Sequence, residues 1–376
     1  MTKFCEYRDC AYRAAPGKRF CARHHTERST LGTRIGMAAA YVVLTIAVLM
    51  MLLLILSATP AKADTAQLWM TGNTPGRASA IEPYPVGSNP WVAVSATAGC
   101  SGSEYTRAGH WRRSGGVEWA PVACEDHPGQ YPLGISGSGR IFGNASSCTS
   151  HGSWQWEFGD PIWMDESQSW DIDNSGTRIA GNQSNFGPTV WIDGTPRTLP
   201  TVYGEGWATA ITADGGTVYG STNNDLGEGY RPCRWDDVGG AWQRSPLEGE
   251  LPSYAGWLVD VRSASPSGEW LVIDLHSPDG ADQAIWHAGR YLELDAAQHN
   301  WITWGGISDE GVVVGVGAGH ARIWHPSWDA TRGLEEMLRY DYGLWLWDWD
   351  RLSWATGITA DGQYVSGYGR IAAPDP

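Results

Sequence analysis

Hydrophobic and polar residues follow two different patterns along this chain. Residues 35–56 form an unbroken apolar run of 22 residues without a charge, which is the length that a helix needs to cross a bilayer. From residue 65 onwards the apolar residues instead occur in short stretches, rich in β-branched side chains and separated by Gly, Asp, Asn and Ser. Such stretches are typical of strands joined by tight turns. The pattern therefore predicts a membrane-spanning helix or signal anchor over 35–57, a linker over 58–64, and an all-β domain over 65–376.

The turns recur with a common form, which indicates an internal repeat. Each copy has an apolar strand, a turn that carries Gly with Asp, Asn or Ser, and a second strand rich in β-branched residues. The clear copies lie at 171–181, 210–220, 306–315 and 357–367, and degenerate copies lie at 134–143 and 261–272. The segment 89–94 is interpreted as an atypical seventh hairpin. Each unit is therefore predicted to begin with a β-hairpin.

A short strand that ends in tryptophan follows each hairpin except the last. The six tryptophans are Trp111, Trp163, Trp191, Trp235, Trp286 and Trp324. Their recurrence at one register favours packing between neighbouring units, and a further strand after each gives the four strands of a propeller blade. Trp69 lies in a similar strand without a preceding hairpin, whereas the last hairpin lacks a Trp strand after it. The sequence therefore predicts a seven-bladed β-propeller closed by N- and C-terminal strands, with an open β array as the alternative.

The hairpin form Gly-Ile-Ser/Thr-Ala-Asp-Gly-x-x-Val-x-Gly, followed by x-Ala-x-x-Trp, resembles the HAF-type extracellular repeat of bacterial exported proteins. The chain end, 337–369, is similar to the closing segment of that family. The sequence departs from the repeat at 265–268, where Ser-Pro-Ser-Gly replaces Ala-Asp-Gly. The resemblance implies export to the bacterial surface and a propeller-like β fold, and it implies no defined reaction.

The N-terminal segment 1–34 carries cysteine and histidine with the spacing of metal ligands. The predicted ligands of a structural zinc ion are Cys5, Cys10, Cys21 and His24, with His25 as an alternative to His24. The segment is similar to small Cys3His zinc knuckles. Reduced cysteines in a tail without metal are the alternative interpretation. A reducing cytoplasm would keep these thiols available for zinc.

Charge predicts the orientation of the chain in the membrane. Arg23, Arg28 and Arg34 precede the apolar run and only Lys62 follows it closely, so the N-terminus is expected in the cytoplasm and the C-terminal domain outside the cell. Residues 61–63 have the small-x-small form of a signal peptidase site, and cleavage after Ala63 would release a secreted domain. The apolar run is longer than that of a typical signal peptide, which favours retention as a single-pass anchor.

The C-terminal domain is strongly acidic. From residue 64 onwards it has 17 arginines, no lysine and 38 Asp and Glu residues, so nucleic acid is not an expected partner of the propeller. Its cysteines are Cys100, Cys124, Cys148 and Cys233. An even number on the exported side predicts two disulfides with three alternative connectivities, of which a pair between Cys100 and Cys124 is preferred because these residues bracket one blade.

Three functions are consistent with this organisation. The first is a noncatalytic, membrane-anchored surface protein whose propeller binds a carbohydrate or a protein partner; the tryptophans outside the repeat register, Trp345, Trp347, Trp349 and Trp354, would stack on a sugar if exposed. The second is a transmembrane sensor that couples the propeller to the cytoplasmic zinc module. The third is a glycan-processing enzyme, a glycoside hydrolase or lyase, in which carboxylates such as Asp171, Asp260 or Asp309 converge near a central channel.

Overall fold

The computed structural model describes residues 76–371. Within that range it leaves out 86–88, 101–102, 122–128, 147–150, 160, 165–166, 184–186, 224–228, 248, 250–257, 278–279, 294–302, 329, 345 and 347–348. The predicted zinc ligands Cys5, Cys10, Cys21 and His24, the apolar run 35–57 and Trp69 lie outside the described residues. No helix among the residues described in 76–371 has the length and apolar character of a membrane span.

The described residues form an all-β fold of successive antiparallel units, with one short helix. In each complete unit, the first strand pairs with the second, the second with the third and the third with the fourth. The first three units are β1 Gly76–Ile81, β2 Val92–Cys100, β3 Ser103–Arg112, β4 Gly116–Trp119; β5 Gly129–Ile135, β6 Ile141–Ser146, β7 His151–Trp156, β8 Ile162–Met164; and β9 Ser167–Ile172, β10 Arg178–Gln183, β11 Gly187–Ile192, β12 Thr195–Thr198.

The remaining units continue the same order. They are β13 Gly206–Ile211, β14 Thr217–Asn223, β15 Tyr230–Val238, β16 Ala241–Pro246; β17 Leu258–Ala264, β18 Trp270–Ser277, β19 Gly280–His287, β20 Arg290–Glu293; and β21 Thr303–Ile307, β22 Val313–Gly317, β23 His320–Trp324, β24 Arg332–Gly333. Helix α1, Leu334–Tyr340, leads to a last hairpin of β25 Trp349–Ile358 and β26 Val365–Ile371. The four-strand unit predicted from the repeat is therefore confirmed for the six units that precede α1.

The first strand of each unit contacts the first strand of the next. This series runs β1, β5, β9, β13, β17, β21, β25, and β25 in turn contacts β1. Two hydrogen bonds join the last hairpin to the first unit: Thr356 Oγ1 donates to the carbonyl of Ala78 over 3.1 Å, and the Ala360 N–H donates to the carbonyl of Pro83 over 2.8 Å. The inner strands thus surround a common axis, which is the arrangement of a β-propeller.

The turns of neighbouring hairpins are joined by backbone hydrogen bonds at one end of this axis. The donor and acceptor pairs are Gly137 to Asn174, Asn174 to Ala213, Ala213 to Pro266, Asp309 to Ala360 and Ala360 to Pro83, all over 2.8–2.9 Å. Pro83 and Pro266 occupy the donor position in their own turns and have no N–H to give. Between Pro266 and Asp309 a side chain takes over, since the Ser267 N–H donates to the Asp309 carboxylate over 2.7 Å.

The polar residue that opens each repeat turn has a local structural role. Its side-chain oxygen accepts a hydrogen bond from the N–H at the start of the second strand, which closes the hairpin in the manner of an Asx or Ser/Thr turn. The opening residues are Ser136, Asp173, Thr212, Ser265, Ser308 and Thr359. Gly215 and Gly268 follow in two of these turns with φ of 73° and 79°, where an L side chain would be strained. The repeat motif is therefore a turn motif.

The glycine that ends the repeat motif is required by packing within the hairpin. A Cβ added at Gly143 would collide with the carbonyl of Tyr131, and one at Gly220 would collide with the carbonyl of Trp207. Both carbonyls belong to the first strand of the same unit. The missing side chain thus allows the second strand to lie close against the first.

Most of the predicted repeat tryptophans lie in third strands and are buried. Trp111, Trp191, Trp235 and Trp324 each pair with an aliphatic residue of the second strand and are at most 8% exposed. The prediction was wrong in the second unit, where Trp156 of β7 pairs with Ile141 and Trp163 lies on the fourth strand. Two tryptophan-bearing strands follow that hairpin, and the sequence pattern selected the later one.

Cys233 corrects the predicted cysteine pairing. It lies in β15, is 1% exposed and has a free thiol. Two disulfides among four cysteines would require Cys233 to be paired in every connectivity, so that prediction is wrong. Cys124 and Cys148 lie outside the described residues, as does the side chain of Cys100.

Candidate functional site

The inner strands surround a cavity of about 790 Å³ along the axis. Because the same positions of the repeat line it in successive units, its wall can be described in layers. The rim layer lies four residues before the last residue of each first strand and consists of Arg77, Tyr131, Gln168, Trp207, Asp260, Thr303 and Trp354. These seven residues are of six different types, whereas the turn residues repeat. The rim layer is therefore not determined by the requirements of the repeat fold.

The bulged residue of each first strand forms the second layer. At the same position of the repeat, the register of every first strand skips a residue against its second strand, and that residue lines the cavity. The bulge layer consists of Ser79, Leu133, Trp170, Thr209, Arg262, Gly305 and Thr356. Bulges redirect side chains and are common beside functional sites. Here they place consecutive positions of one strand on the same wall.

An apolar ring closes the lining toward the turns. The isoleucine collar consists of Ile81, Ile135, Ile172, Ile211, Ile307 and Ile358, with Ala264 in the remaining unit. Its isoleucines are buried. The cavity is thus polar and aromatic at the rim and apolar toward the turns, so it suits a small molecule with both a polar and an apolar part.

Asp171 lies on the cavity wall between the bulge layer and the collar. At its register the other units have only small residues: Ala80, Gly134, Ala210, Ser263, Gly306 and Gly357. One carboxylate oxygen accepts the N–H of Ile172 over 2.8 Å and the other accepts the N–H of Ile211 over 2.9 Å. Burial raises the pKa of Asp171 to about 7, against the opposing effect of these two hydrogen bonds. A carboxyl group with this pKa exchanges protons readily near neutral pH.

A second acidic site faces the cavity on β17 and β18. Asp260 and Asp274 are directly opposite each other in the antiparallel pair and both line the cavity. Ser221 Oγ donates to Asp260 over 2.7 Å, and the Trp207 indole N–H donates to its other oxygen. Burial, with a further contribution from the charge of Asp274, raises the pKa of Asp260 to about 6, although these hydrogen bonds oppose the shift. Like charges opposite each other on a sheet are unfavourable, so this pair is not explained by the stability of the strands.

Two arginines line the same cavity. Arg262, in the bulge layer of β17, is exposed within it, and Arg77 lies in the rim layer of β1 with its guanidinium over the Tyr368 ring at 5.0 Å. β1 and β17 are three and four strands apart by the two routes around the axis, so Arg77 faces the Asp260 wall from the opposite side. The cavity therefore presents both charge signs.

The three aspartates that the sequence suggested as converging near a central channel fall into two groups in the structure. Asp171 and Asp260 both line the cavity, although they come from different units. Asp309 instead lies in the turns, where its carboxylate accepts the Tyr84 hydroxyl over 2.9 Å and the Ser267 N–H over 2.7 Å. Sequence reasoning missed Asp274 and Arg262. Comparison of the repeats column by column would have singled out Arg262, since its column is otherwise uncharged.

Metal binding by the zinc module is not addressed by the described residues. Within 76–371, as far as the structure describes it, no group of three or more His, Cys, Asp or Glu side chains is placed to hold a metal ion. The predicted ligands Cys5, Cys10, Cys21 and His24 all precede this range.

No protein-family model matches this chain, and no curated protein matches it. Solved structures do match it in fold. The β-propeller domain of the Trilobed protease from Pyrococcus furiosus is 8% identical, with a TM-score of 0.42, over 68% of this chain and 85% of that chain. An acylaminoacyl peptidase from Pyrococcus horikoshii is 10% identical, with a TM-score of 0.40, over 69% and 52%. Prolyl oligopeptidase B from Galerina marginata is 13% identical, with a TM-score of 0.44, over 66% and 40%. The chain thus spans about half the length of the matched acylaminoacyl peptidase.

The sequence-based hypothesis of a noncatalytic surface protein that binds a carbohydrate or a protein is wrong. The matched acylaminoacyl peptidase and prolyl oligopeptidase are enzymes, and they are peptidases rather than glycoside hydrolases or lyases. The proposed sugar-stacking surface also finds no support among the described side chains. Trp349 packs in the core cluster beside α1, and Trp354 lines the axial cavity and stacks on Tyr368. Trp345 and Trp347 lie outside the described residues.

Proposed function

We propose that the axial cavity is the active site of an enzyme of the hydrolase class, built on a seven-bladed β-propeller. Two features support the blade number: seven inner strands form a continuous series of contacts around the axis, and the last turn donates a hydrogen bond to the first. The chain ends would complete the seventh blade together, because the Trp69 segment lacks a preceding hairpin and the last hairpin lacks a following Trp strand in the sequence.

The position of Asp171 carries the assignment. Its register is otherwise filled by Gly, Ala or Ser, so the repeat fold tolerates a small residue there and does not require a carboxylate. The side chain borders the cavity, and its pKa of about 7 lies where a general acid or base works best. A perturbed carboxyl group in a concave site is a common mark of catalytic function.

The reaction follows from these properties. The Asp171 carboxylate takes a proton from a water molecule in the cavity, and the resulting hydroxide attacks the carbonyl carbon of the substrate. The protonated Asp171 then returns that proton to the leaving group as its bond to the carbonyl carbon breaks. Water is the only co-reactant, and the carboxyl group is regenerated.

The cellular arrangement is proposed from the sequence alone. We propose that 35–57 anchors the chain, that the propeller is exported, and that 1–34 is a cytoplasmic module with structural zinc on Cys5, Cys10, Cys21 and His24. These proposals are supported by the apolar run, the positive charge before it and the spacing of the ligands.

The test compares hydrolysis by the full-length protein and its Asp171→Asn variant. The probes are a neutral ester, p-nitrophenyl butyrate, and an anilide, L-leucine p-nitroanilide. We expect kcat/KM to rise with pH through about 7 in the wild type, because the ionised carboxylate is the base. Asp171→Asn should lower kcat/KM by a factor of about 10²–10⁴ and abolish this pH dependence.

The matched control is Asp350→Asn, which removes a carboxylate paired with Arg370 on the surface. It should leave hydrolysis unchanged. Equal activity of Asp171→Asn and wild type, or no hydrolysis of either probe, would contradict the proposal.

A further inference from the structure

The wall formed by β17 and β18 presents both charge signs within a short distance. Asp260 and Arg262 are two residues apart on β17, and Asp274 lies opposite Asp260 on β18. Asp260 and Arg262 share a face of β17 because residues two apart on a strand point to the same side, and the bulge between Val261 and Ser263 brings Ser263 to that face as well. All three side chains border the axial cavity.

The two carboxylates retain capacity to accept hydrogen bonds from a ligand. The oxygens of Asp260 accept hydrogen bonds from Ser221, Trp207 and the backbone N–H of Val261, and an ionised carboxylate has about four acceptor positions. One oxygen of Asp274 accepts the Gln283 side-chain amide. The other has no hydrogen-bond partner among the residues that the structure describes. This unfavourable pair of like charges is therefore suited to a cationic donor placed between its members.

The guanidinium of Arg262 is available to an anion. It is exposed in the cavity and forms no ion pair or hydrogen bond with any residue described in the structure. The neighbouring Ser263 also lines the cavity, and its buried hydroxyl oxygen has no partner among the described residues. An arginine fork and a hydroxyl donor together match the oxygens of a carboxylate.

We propose that this wall binds a zwitterionic amino acid or short peptide, with its ammonium group between Asp260 and Asp274 and its carboxylate on Arg262. The proposal names the substrate class of the cavity and so rests on the proposed function. Residues two apart on a strand are about 7 Å apart. An amino acid whose charged groups each form a hydrogen bond of about 3 Å fits that spacing.

The rest of the cavity favours this ligand over a simple ion. A divalent cation between the two aspartates would leave the positive charge of Arg262 without a partner, whereas a zwitterion also supplies the carboxylate that pairs with it. The isoleucine collar provides an apolar region for a hydrophobic side chain. Arg77, on the opposite side of the rim, would interact with the far carboxylate when the ligand is a peptide rather than a single residue.

The experiment measures binding of three related probes to the full-length protein by isothermal titration calorimetry at pH 7.5. L-leucine has both charges, L-leucinamide has only the ammonium group, and N-acetyl-L-leucine has only the carboxylate. The variants are Asp260→Asn and Arg262→Gln. Their matched controls, Asp350→Asn and Arg370→Gln, change an exposed ion pair outside the cavity lining.

We expect Asp260→Asn to weaken the binding of L-leucine and of L-leucinamide at least tenfold and to leave the binding of N-acetyl-L-leucine unchanged. Arg262→Gln should weaken the binding of L-leucine and of N-acetyl-L-leucine at least tenfold and leave the binding of L-leucinamide unchanged. The two controls should bind all three probes as the wild type does. Asp274→Asn is a second variant with the same expected pattern as Asp260→Asn, for use if the latter does not fold.

Two results would overturn the inference. One is no binding of L-leucine by the wild type; the other is a variant that weakens all three probes equally, which would indicate a structural role. Hydrolysis of p-nitrophenyl butyrate that depends on Asp171, without L-leucine binding, would keep the proposed function and reject the zwitterion site. Binding of L-leucine with no hydrolysis of either chromogenic probe would keep the zwitterion site and reject the proposed function.

Discussion

The carboxylate of Asp171 accepts the backbone N–H of Ile211 over 2.9 Å, and thereby joins the inner strand of the third unit to that of the fourth. Its other oxygen accepts the N–H of Ile172 in its own strand. The same side chain borders the axial cavity. Asp171 therefore links two units while keeping a group that changes its protonation near neutral pH, and these two roles can be separated by experiment.

Stability should depend on pH through Asp171. Burial raises its pKa from 3.8 to about 7 in the folded protein, so the folded state holds this proton more tightly than the unfolded state. The folded state is therefore progressively destabilised as pH rises from about 4 to 7, by up to roughly 4 kcal/mol. Asp171→Asn removes the titration. We expect the melting temperature of the wild type to fall relative to that of the variant between pH 5 and pH 8.

The control for this prediction is Asp350→Asn, which is exposed. Its melting curve should follow that of the wild type across the same pH range. A constant difference between wild type and Asp171→Asn at pH 5 and pH 8 would mean that Asp171 titrates as an ordinary carboxyl group.

Asp274→Asn should affect both stability and the titration of Asp260. Removing one of two opposed carboxylates is expected to raise the free energy of unfolding at pH 8 by about 0.2–1 kcal/mol. Because the charge of Asp274 contributes to the raised pKa of Asp260, that pKa should fall below about 6 in the variant. Titration of the side-chain carboxyl carbons by NMR measures it directly. An unchanged Asp260 titration would show that the two carboxylates do not interact.

Closure of the ring can be tested with proline at equivalent turn positions. The N–H groups of Ala213 and Ala360 each donate to a carbonyl of the next turn over 2.8 Å, and Pro266 and Pro83 occupy the same position in other units. Proline is thus compatible with this turn, and its main effect is to remove the donor. We expect Ala213→Pro and Ala360→Pro to destabilise the fold equally, by about 1 kcal/mol in denaturant unfolding.

The hydrogen bond donated by Ala213 joins two internal units, whereas the one donated by Ala360 joins the last hairpin to the first unit. The two variants therefore separate closure of the ring from the stability of a turn in general. If Ala360→Pro had no effect while Ala213→Pro lowered stability, the last hairpin would not be fastened to the first unit.

Cys233 should be unreactive in the folded protein. It is 1% exposed, and burial raises the pKa of its thiol to about 11, so the reactive thiolate is scarce at neutral pH. We expect iodoacetamide at pH 8 to leave Cys233 unmodified in native protein and to alkylate it in guanidinium chloride, as measured by peptide mass spectrometry. Modification in the native state would contradict the burial of β15.

Much of the fold could be predicted from the repeat, because each repeated residue meets a structural requirement of its own turn or strand. Thr212 and Ser308 open their turns by accepting a backbone N–H, and the sequence identified both turns correctly. Trp191 and Trp235 are buried as expected. The cavity was harder to predict, because each first strand contains a bulge, and a shift of one residue changes the face on which a side chain lies. Ser263 could not be assigned to the wall without that bulge, nor Asp274 without the pairing of β17 and β18.

The two prolines in the turns determine how neighbouring units are joined to each other. Hydrogen bonds run without interruption through four turns from Gly137 to Pro266, and through three from Asp309 to Pro83. The Asp309 carboxylate bridges the first break, whereas Pro83 has no donor for the turn at Gly137. Between the first two units the connection is made by the sheet instead, since β3 pairs with β5 and the His110 ring nitrogen lies 2.8 Å from the carbonyl oxygen of Gly139. Where a proline removes the turn donor, the ring is thus held by strand pairing and a buried side chain rather than by the chain of turns.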